Sequence, residues 1–165
     1  MNLLLDTHVA LWALTDHPKL STTARELILS PRATVWISVA SIWEISIKHS
    51  LRRGDMPVSG DDAIRHFRAA GYQFLAIEPE HANAIEALPK HHQDPFDRLL
   101  VAQALIEPMR LLTHDTTVAR YSDAIVLAIA STPHARGRLP EQSTQTESDS
   151  TSSPQTRGQC SHGKG

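Results

Sequence analysis

Met1-Asn2-Leu3-Leu4-Leu5-Asp6 decides how the rest of the chain is read. Three leucines in succession, with no polar residue alternating between them, suit a strand covered on both faces. Strands of that kind belong to parallel sheets with helices above and below. The carboxylate of Asp6 stops the run, and Val9, Leu11, Trp12 and Leu14 then recur at helical spacing over residues 7–14.

The alternation continues outward. Ser21 can cap a second helix with Ala24, Leu27 and Ile28 on its apolar face, and Pro31 stops it. Thr34-Val35-Trp36-Ile37-Ser38 is β-branched and aromatic, hence a strand. A helix is expected over residues 39–51, with Val39, Ile42, Trp43 and Ile47 as its apolar stripe. Arg53-Gly54-Asp55-Met56-Pro57 breaks it. Residues 61–70 read as a helix, 72–77 as a strand and 79–88 as a helix opened by Pro79. Asp94 with Pro95 behind it is a strong start signal for a helix reaching about Ile106. Residues 110–113 make a fourth strand, Asp115 can cap a short helix, and 124–129 can supply a fifth strand. Strands alternating with helices imply right-handed crossovers and a three-layer α/β/α domain around a central parallel sheet of four to five strands.

From position 134 the character changes to Ser, Thr, Gln, Pro and Gly, with only Ala135, Leu139 and Cys160 apolar. Such a segment buries too little surface to offset its ordering entropy. The expected organisation is therefore a folded domain over 1–133 and a disordered polar tail over 134–165. The 165 residues are 41% hydrophobic and 21% charged, which suits one globular domain. A formal net charge of −2 supplies no global basic field to draw in nucleic acid, so a polyanion would need a local patch or bridging cations. The single cysteine excludes an internal disulfide. The opening residues lack a basic stretch before their apolar run, so they read as a strand rather than a signal peptide. No run approaches the roughly 18 apolar residues of a membrane span. A soluble cytoplasmic protein is expected.

Four acids are distributed along this scaffold. Asp6 and Asp115 fall where expected strands stop, while Glu44 and Asp97 fall on expected helices. Strand ends of a parallel sheet face one crevice, where ligands bind. Each acid also has a plainer explanation. Asp6 and Asp115 can be helix caps, Glu44 can pair with Lys48 one turn on, and Asp97 can complement a helix dipole. Four carboxylates meeting at one crevice, however, would repel unless they hold a cation. Ser41, Glu44, Lys48 and Arg52 share one side of their helix and change from acidic to basic along it, which suits a metal at one end and phosphates along the rest. His8, His91, His92 and His114 adjoin the acids, but no cysteine pair or His-x-x-x-His spacing accompanies them. Oxygen-rich sets favour Mg2+ or Mn2+ over zinc.

Four segments carry a resemblance: Leu3-Leu4-Leu5-Asp6-Thr7-His8, the stretch from Ser38 to Lys48, the stretch from His92 to Ala104, and Leu111-Leu112-Thr113-His114-Asp115. In order and spacing the chain resembles PIN-domain ribonucleases, specifically VapC-like toxins of type II toxin–antitoxin modules. The match covers about residues 1–122, and the polar extension has no counterpart in it. The resemblance implies Asp6, Glu44, Asp97 and Asp115 as an acidic quartet around Mg2+ or Mn2+. It also implies endonucleolytic cleavage of RNA, a homodimer, and inhibition by a cognate antitoxin whose tail fills the active-site groove. Thr7, Ser41 and Thr113 are then placed to hydrogen-bond the acids, and Lys48, Arg52, Arg53 and Arg98 to grip the RNA backbone.

Two other classes compete. An aspartyl-phosphate phosphatase would use Asp6 as nucleophile, but usually wants a second Asp where His8 stands. A non-catalytic receiver-like domain would want a lysine at a late strand end, where Thr113 and His114 stand.

Overall fold

Leu3, Leu4 and Leu5 pair on both sides, so the first strand, β1 (Asn2–Leu5), is the centre of the sheet. The computed structural model describes residues 1–52 and 56–130; Arg53 and the expected tail lie outside the described residues. On one side of β1 lies β2 (Thr34–Ser38), with β3 (Gln73–Leu75) beyond it. On the other lie β4 (Arg110–Thr113) and β5 (Ile125–Leu127). The order is β3-β2-β1-β4-β5, and every pairing is parallel. The fifth strand thus forms, over three residues of the expected six.

Six α-helices fill the crossovers: α1 (Thr7–Leu14), α2 (Thr22–Leu29), α3 (Val39–Ser50), α4 (Gly60–Ala69), α5 (Pro79–Ala84) and α6 (Pro95–Ile106). Local chemistry fixes their starts. The side chains of Asp6, Ser21, Ser38, Ser59 and Asp94 each accept backbone N–H groups at a helix N-terminus, satisfying donors that the helix leaves open. Pro95 adds a preset φ where no N–H is needed. The helix expected over 79–88 is instead α5 followed by a single 3-10 turn, Ile85–Ala87.

Side-chain alternation on β1 sorts the core into two layers. Leu3 and Leu5 pack with Val9, Ala10, Ala24, Ile45 and Phe67 from α1 to α4. Leu4 points the other way, to Leu100, Val101 and Ala104 of α6 and Leu111 of β4. All three leucines are fully buried, each contributing about 1.5–3 kcal/mol through burial. The outcome is the expected three-layer α/β/α sandwich. Among the described residues no helix is long and apolar enough to cross a membrane.

One expectation about α3 fails. Its buried residues are Ala40, Ser41, Glu44 and Ile45, whereas Val39 and Trp43, assigned to the apolar stripe, are 43% and 56% exposed. Small Ala40 and Ser41 let the helix approach closely and turn Glu44 inward. Trp43 is left outside, edge-on to Phe96 of α6 with ring centroids 5.2 Å apart. A polar face was buried, and a hydrophobic stripe could not have announced it.

Chain order reverses beside β1: the chain moves outward to β2 and β3, then returns to the other flank for β4. The reversal point of such a sheet lies between the carboxyl ends of the two flanking strands, and ligands bind in the crevice there. Here those ends are Leu5, followed by Asp6, and Thr113, followed by His114 and Asp115.

Candidate metal centre

Asp6 leaves β1 and caps α1, its Oδ1 accepting the Val9 N–H at 2.7 Å. Its Oδ2 accepts three donors from the end of β4: the Thr113 hydroxyl at 2.7 Å, the His114 N–H at 2.8 Å and His114 Nδ1 at 2.9 Å. Burial works to raise the Asp6 pKa, yet the His114 hydrogen bond and charge, with the Val9 and Thr113 donors, bring it below the ordinary carboxylate range. Asp6 is therefore a buried, ionised carboxylate. The same bond raises the His114 pKa, so the pair favours an imidazolium facing a carboxylate. His8, packed 4.5 Å from the His114 ring, is pushed down, first by its own burial and then by His114.

Glu44 is buried on α3 and held from two directions. The Thr7 hydroxyl donates to Oε2 and Lys48 Nζ approaches Oε1 at 2.6 Å. Thr7, one residue past Asp6, thus ties the end of β1 to the inward face of α3. Ser41, one turn earlier on that face, is buried with no hydrogen-bond partner for its Oγ.

Asp97 lies in the first turn of α6, while Asp94 is spent as cap, accepting the Phe96 and Asp97 N–H groups. Burial pushes the Asp97 carboxyl up to about 7, and repulsion from Asp94, Asp6 and Glu44 adds to it against the pull of His92. Asp115 follows β4. Partial burial acts to raise it, but the Thr117 and Val118 N–H groups and His92 prevail and lower it. Its capping is thus a turn leading into the 3-10 segment Val118–Arg120. Thr113 links two acids, donating to Asp6 while its oxygen accepts the Asp115 N–H at 3.1 Å.

His92, Asp97 and Asp115 each place a donor atom within 4.8 Å of the others. The Asp94 N–H donates to His92 Nδ1 at 3.1 Å, which leaves Nε2 to face Asp115 at 3.2 Å. His92 thereby orients Asp115, and the carboxylates are the available ligands. Asp97 and Asp115, with Asp6 and Glu44 acting on Asp97 through their charge, make an oxygen-rich set that would fit a hard divalent cation.

The candidate cations differ in placement. Lys48 sits against Glu44. Arg52 is exposed beyond the end of α3 with φ of 50°. Arg98, expected to grip RNA, does another job: its guanidinium donates to the carbonyls of Ile85, Leu88, Pro89 and His92 and to the Tyr121 hydroxyl. With both terminal nitrogens bonded inside the protein, it braces the 85–92 segment. Tyr121, missed from sequence, completes the brace by accepting the His92 N–H at 2.9 Å. Its partners lie 23 and 29 residues away, and no local pattern announces them.

A family model for the PIN domain matches residues 3–129. Among solved structures, the chain resembles VapBC2 from Rickettsia felis bound to a DNA fragment from their promoter (TM-score 0.53, 17% identity, 77% of this chain and 97% of that one). It also resembles a toxin–antitoxin complex from Klebsiella pneumoniae (TM-score 0.52, 16% identity, 78% and 99%). A third is a domain of a functionally unknown protein from Methanocaldococcus jannaschii (TM-score 0.53, 16% identity, 84% and 98%). At such identities the likeness is one of fold. Curated proteins give no match to the chain. The family model runs from β1 through β5 and takes in all four acids, and the chain belongs to the PIN-domain family.

Proposed function

We propose that this protein is a divalent-metal-dependent endoribonuclease, the toxin of a toxin–antitoxin module. The observation that carries the reading is the convergence of Asp97 and Asp115 with His92, their ligand atoms all within 4.8 Å of one another. Asp6 and Glu44 act on the same Asp97 through their charge, so an anionic substrate would be repelled there without a cation. Membership in the PIN-domain family and likeness in fold to toxin–antitoxin structures support it.

Asp6 and Asp97 would hold the principal ion, with Glu44 and Asp115 completing its surroundings. Such an ion, Mg2+ or Mn2+, activates water for attack and stabilises charge on the attacking and leaving oxygens of a phosphodiester. The chain's own residues prepare the site. Thr113 and His114 keep Asp6 ionised and immobile, Thr7 and Lys48 fix Glu44, and His92 fixes Asp115. No side-chain nucleophile is required. Lys48 and Arg52, near the acids and beyond them along α3, remain the candidates for the RNA backbone. A cognate antitoxin, a homodimer and a cytoplasmic site of action belong to the same proposal.

Incubation of the purified protein with total RNA and Mn2+, followed by mapping of new ends, tests it. Cleavage that EDTA stops is expected. Metal-independent cleavage, or labelling of Asp6 by acetyl phosphate, would overturn it.

A further inference from the structure

A cavity of ≈ 690 Å³ opens beside α1, with His8, Trp12, His17, Val58 and His66 in its wall. Pockets for small organic ligands occupy about 300–1,000 Å³. A path of rings connects the cavity to the carboxylates. His114, bonded to Asp6, lies 4.5 Å from the His8 ring and 5.6 Å from Trp12. Trp12 stacks on His17 at 5.6 Å with 17° between the planes. Lys19 Nζ stands 5.8 Å from the Trp12 ring centroid.

We infer that this cavity is a nucleobase subsite, seating the base of a nucleotide next to the phosphate that is cleaved. The identity of the strand rests on the ribonuclease reading above; the preference for a base rests on the ring path. Single-stranded RNA is recognised through unstacked bases laid against aromatic side chains, with their edges hydrogen-bonded. His8 and Trp12 supply ring surface, while His66 and the Nε2 of His17, whose Nδ1 already accepts the Lys19 N–H at 3.2 Å, can donate or accept at a base edge. Three imidazoles and Thr15 in a mainly apolar wall suit an occupant that is apolar on its faces and polar at its rim. Lys19 places a positive charge where the adjoining phosphate would run.

The test compares two fluorescein-labelled oligoribonucleotides, one with bases and one abasic throughout, binding to the full chain in Ca2+ by fluorescence anisotropy. Base–aromatic contacts predict that the base-bearing oligomer binds roughly 5- to 100-fold more tightly. Trp12→Leu and His17→Ala should remove most of that advantage, and Trp12→Phe should keep it. Equal binding of the two oligomers, or a full preference retained in folded Trp12→Leu and His17→Ala, overturns the subsite; the cavity then falls to a peptide side chain. Separate cleavage assays in Mn2+ report on the nuclease reading alone. A base preference lost in the variants without any cleavage would therefore sink that reading and not the subsite.

Discussion

Asp6 and Asp97 have the same chemistry and opposite electrostatics. Asp6 is the more deeply buried, yet three donors on one oxygen hold it ionised, whereas Asp97 meets other acids and rises to about 7. For a carboxyl raised in the folded state, the native protein binds more protons than the unfolded chain between about pH 4 and 7. Metal-free stability should therefore fall as pH rises through that window and level off above it. Asp97→Asn removes the burden. At pH 8 without metal it should raise stability by roughly 1–3 kcal/mol after allowing for partial solvent screening; urea unfolding measures this, and cleavage by the variant should be lost. Asp6→Asn differs, because its amide would oppose the donors of Thr113 and His114. It should lose cleavage and also about 1–3 kcal/mol of stability, read in the same unfolding experiment.

At the scale of elements, Arg98 is the test. Removing its guanidinium takes the donor from the carbonyls of Leu88, Pro89 and His92, while Ile85 keeps the Leu88 N–H. Arg98→Ala should cost roughly 2–4 kcal/mol, and Arg98→Lys should recover little, since one ammonium cannot reproduce a planar fork. Urea unfolding of the two variants checks both values. Sequence made some elements plain and hid others for physical reasons. The start of α6 was legible because Asp94-Pro95 is local capping chemistry, and β1 because an unbroken leucine run needs cover on both faces. The orientation of α3 was not, because a helix that buries Ser41 and Glu44 while exposing Trp43 follows its site rather than its hydrophobic stripe. Arg98 was misread for the same reason: a first-turn arginine looks solvated until the loop folded over it is known.

At the scale of the molecule, the nearness of Asp6 and Asp115 was legible, because parallel topology sends the ends of β1 and β4 to one crevice, where Thr113 bonds both. The hydrogen bonds that make the crevice tolerable were less visible. His92 to Asp115 spans 23 residues and Thr113 to Asp6 spans 107, and no spacing rule joins such pairs. The whole-molecule expectation is a stability that depends jointly on metal and pH. Millimolar Mn2+ should raise Tm more at pH 8 than at pH 5, because protonated Asp97 weakens the site at the lower pH. A scanning calorimeter reads this directly, and an equal rise at both values would contradict the coupling. The measurement closest to the central claim, that the four carboxylates share a divalent cation, is isothermal titration of Mn2+ into the metal-free protein near pH 7. The account predicts saturable uptake accompanied by proton release, lost in Asp97→Asn. No uptake at millimolar Mn2+, or uptake unchanged in that variant, would contradict it.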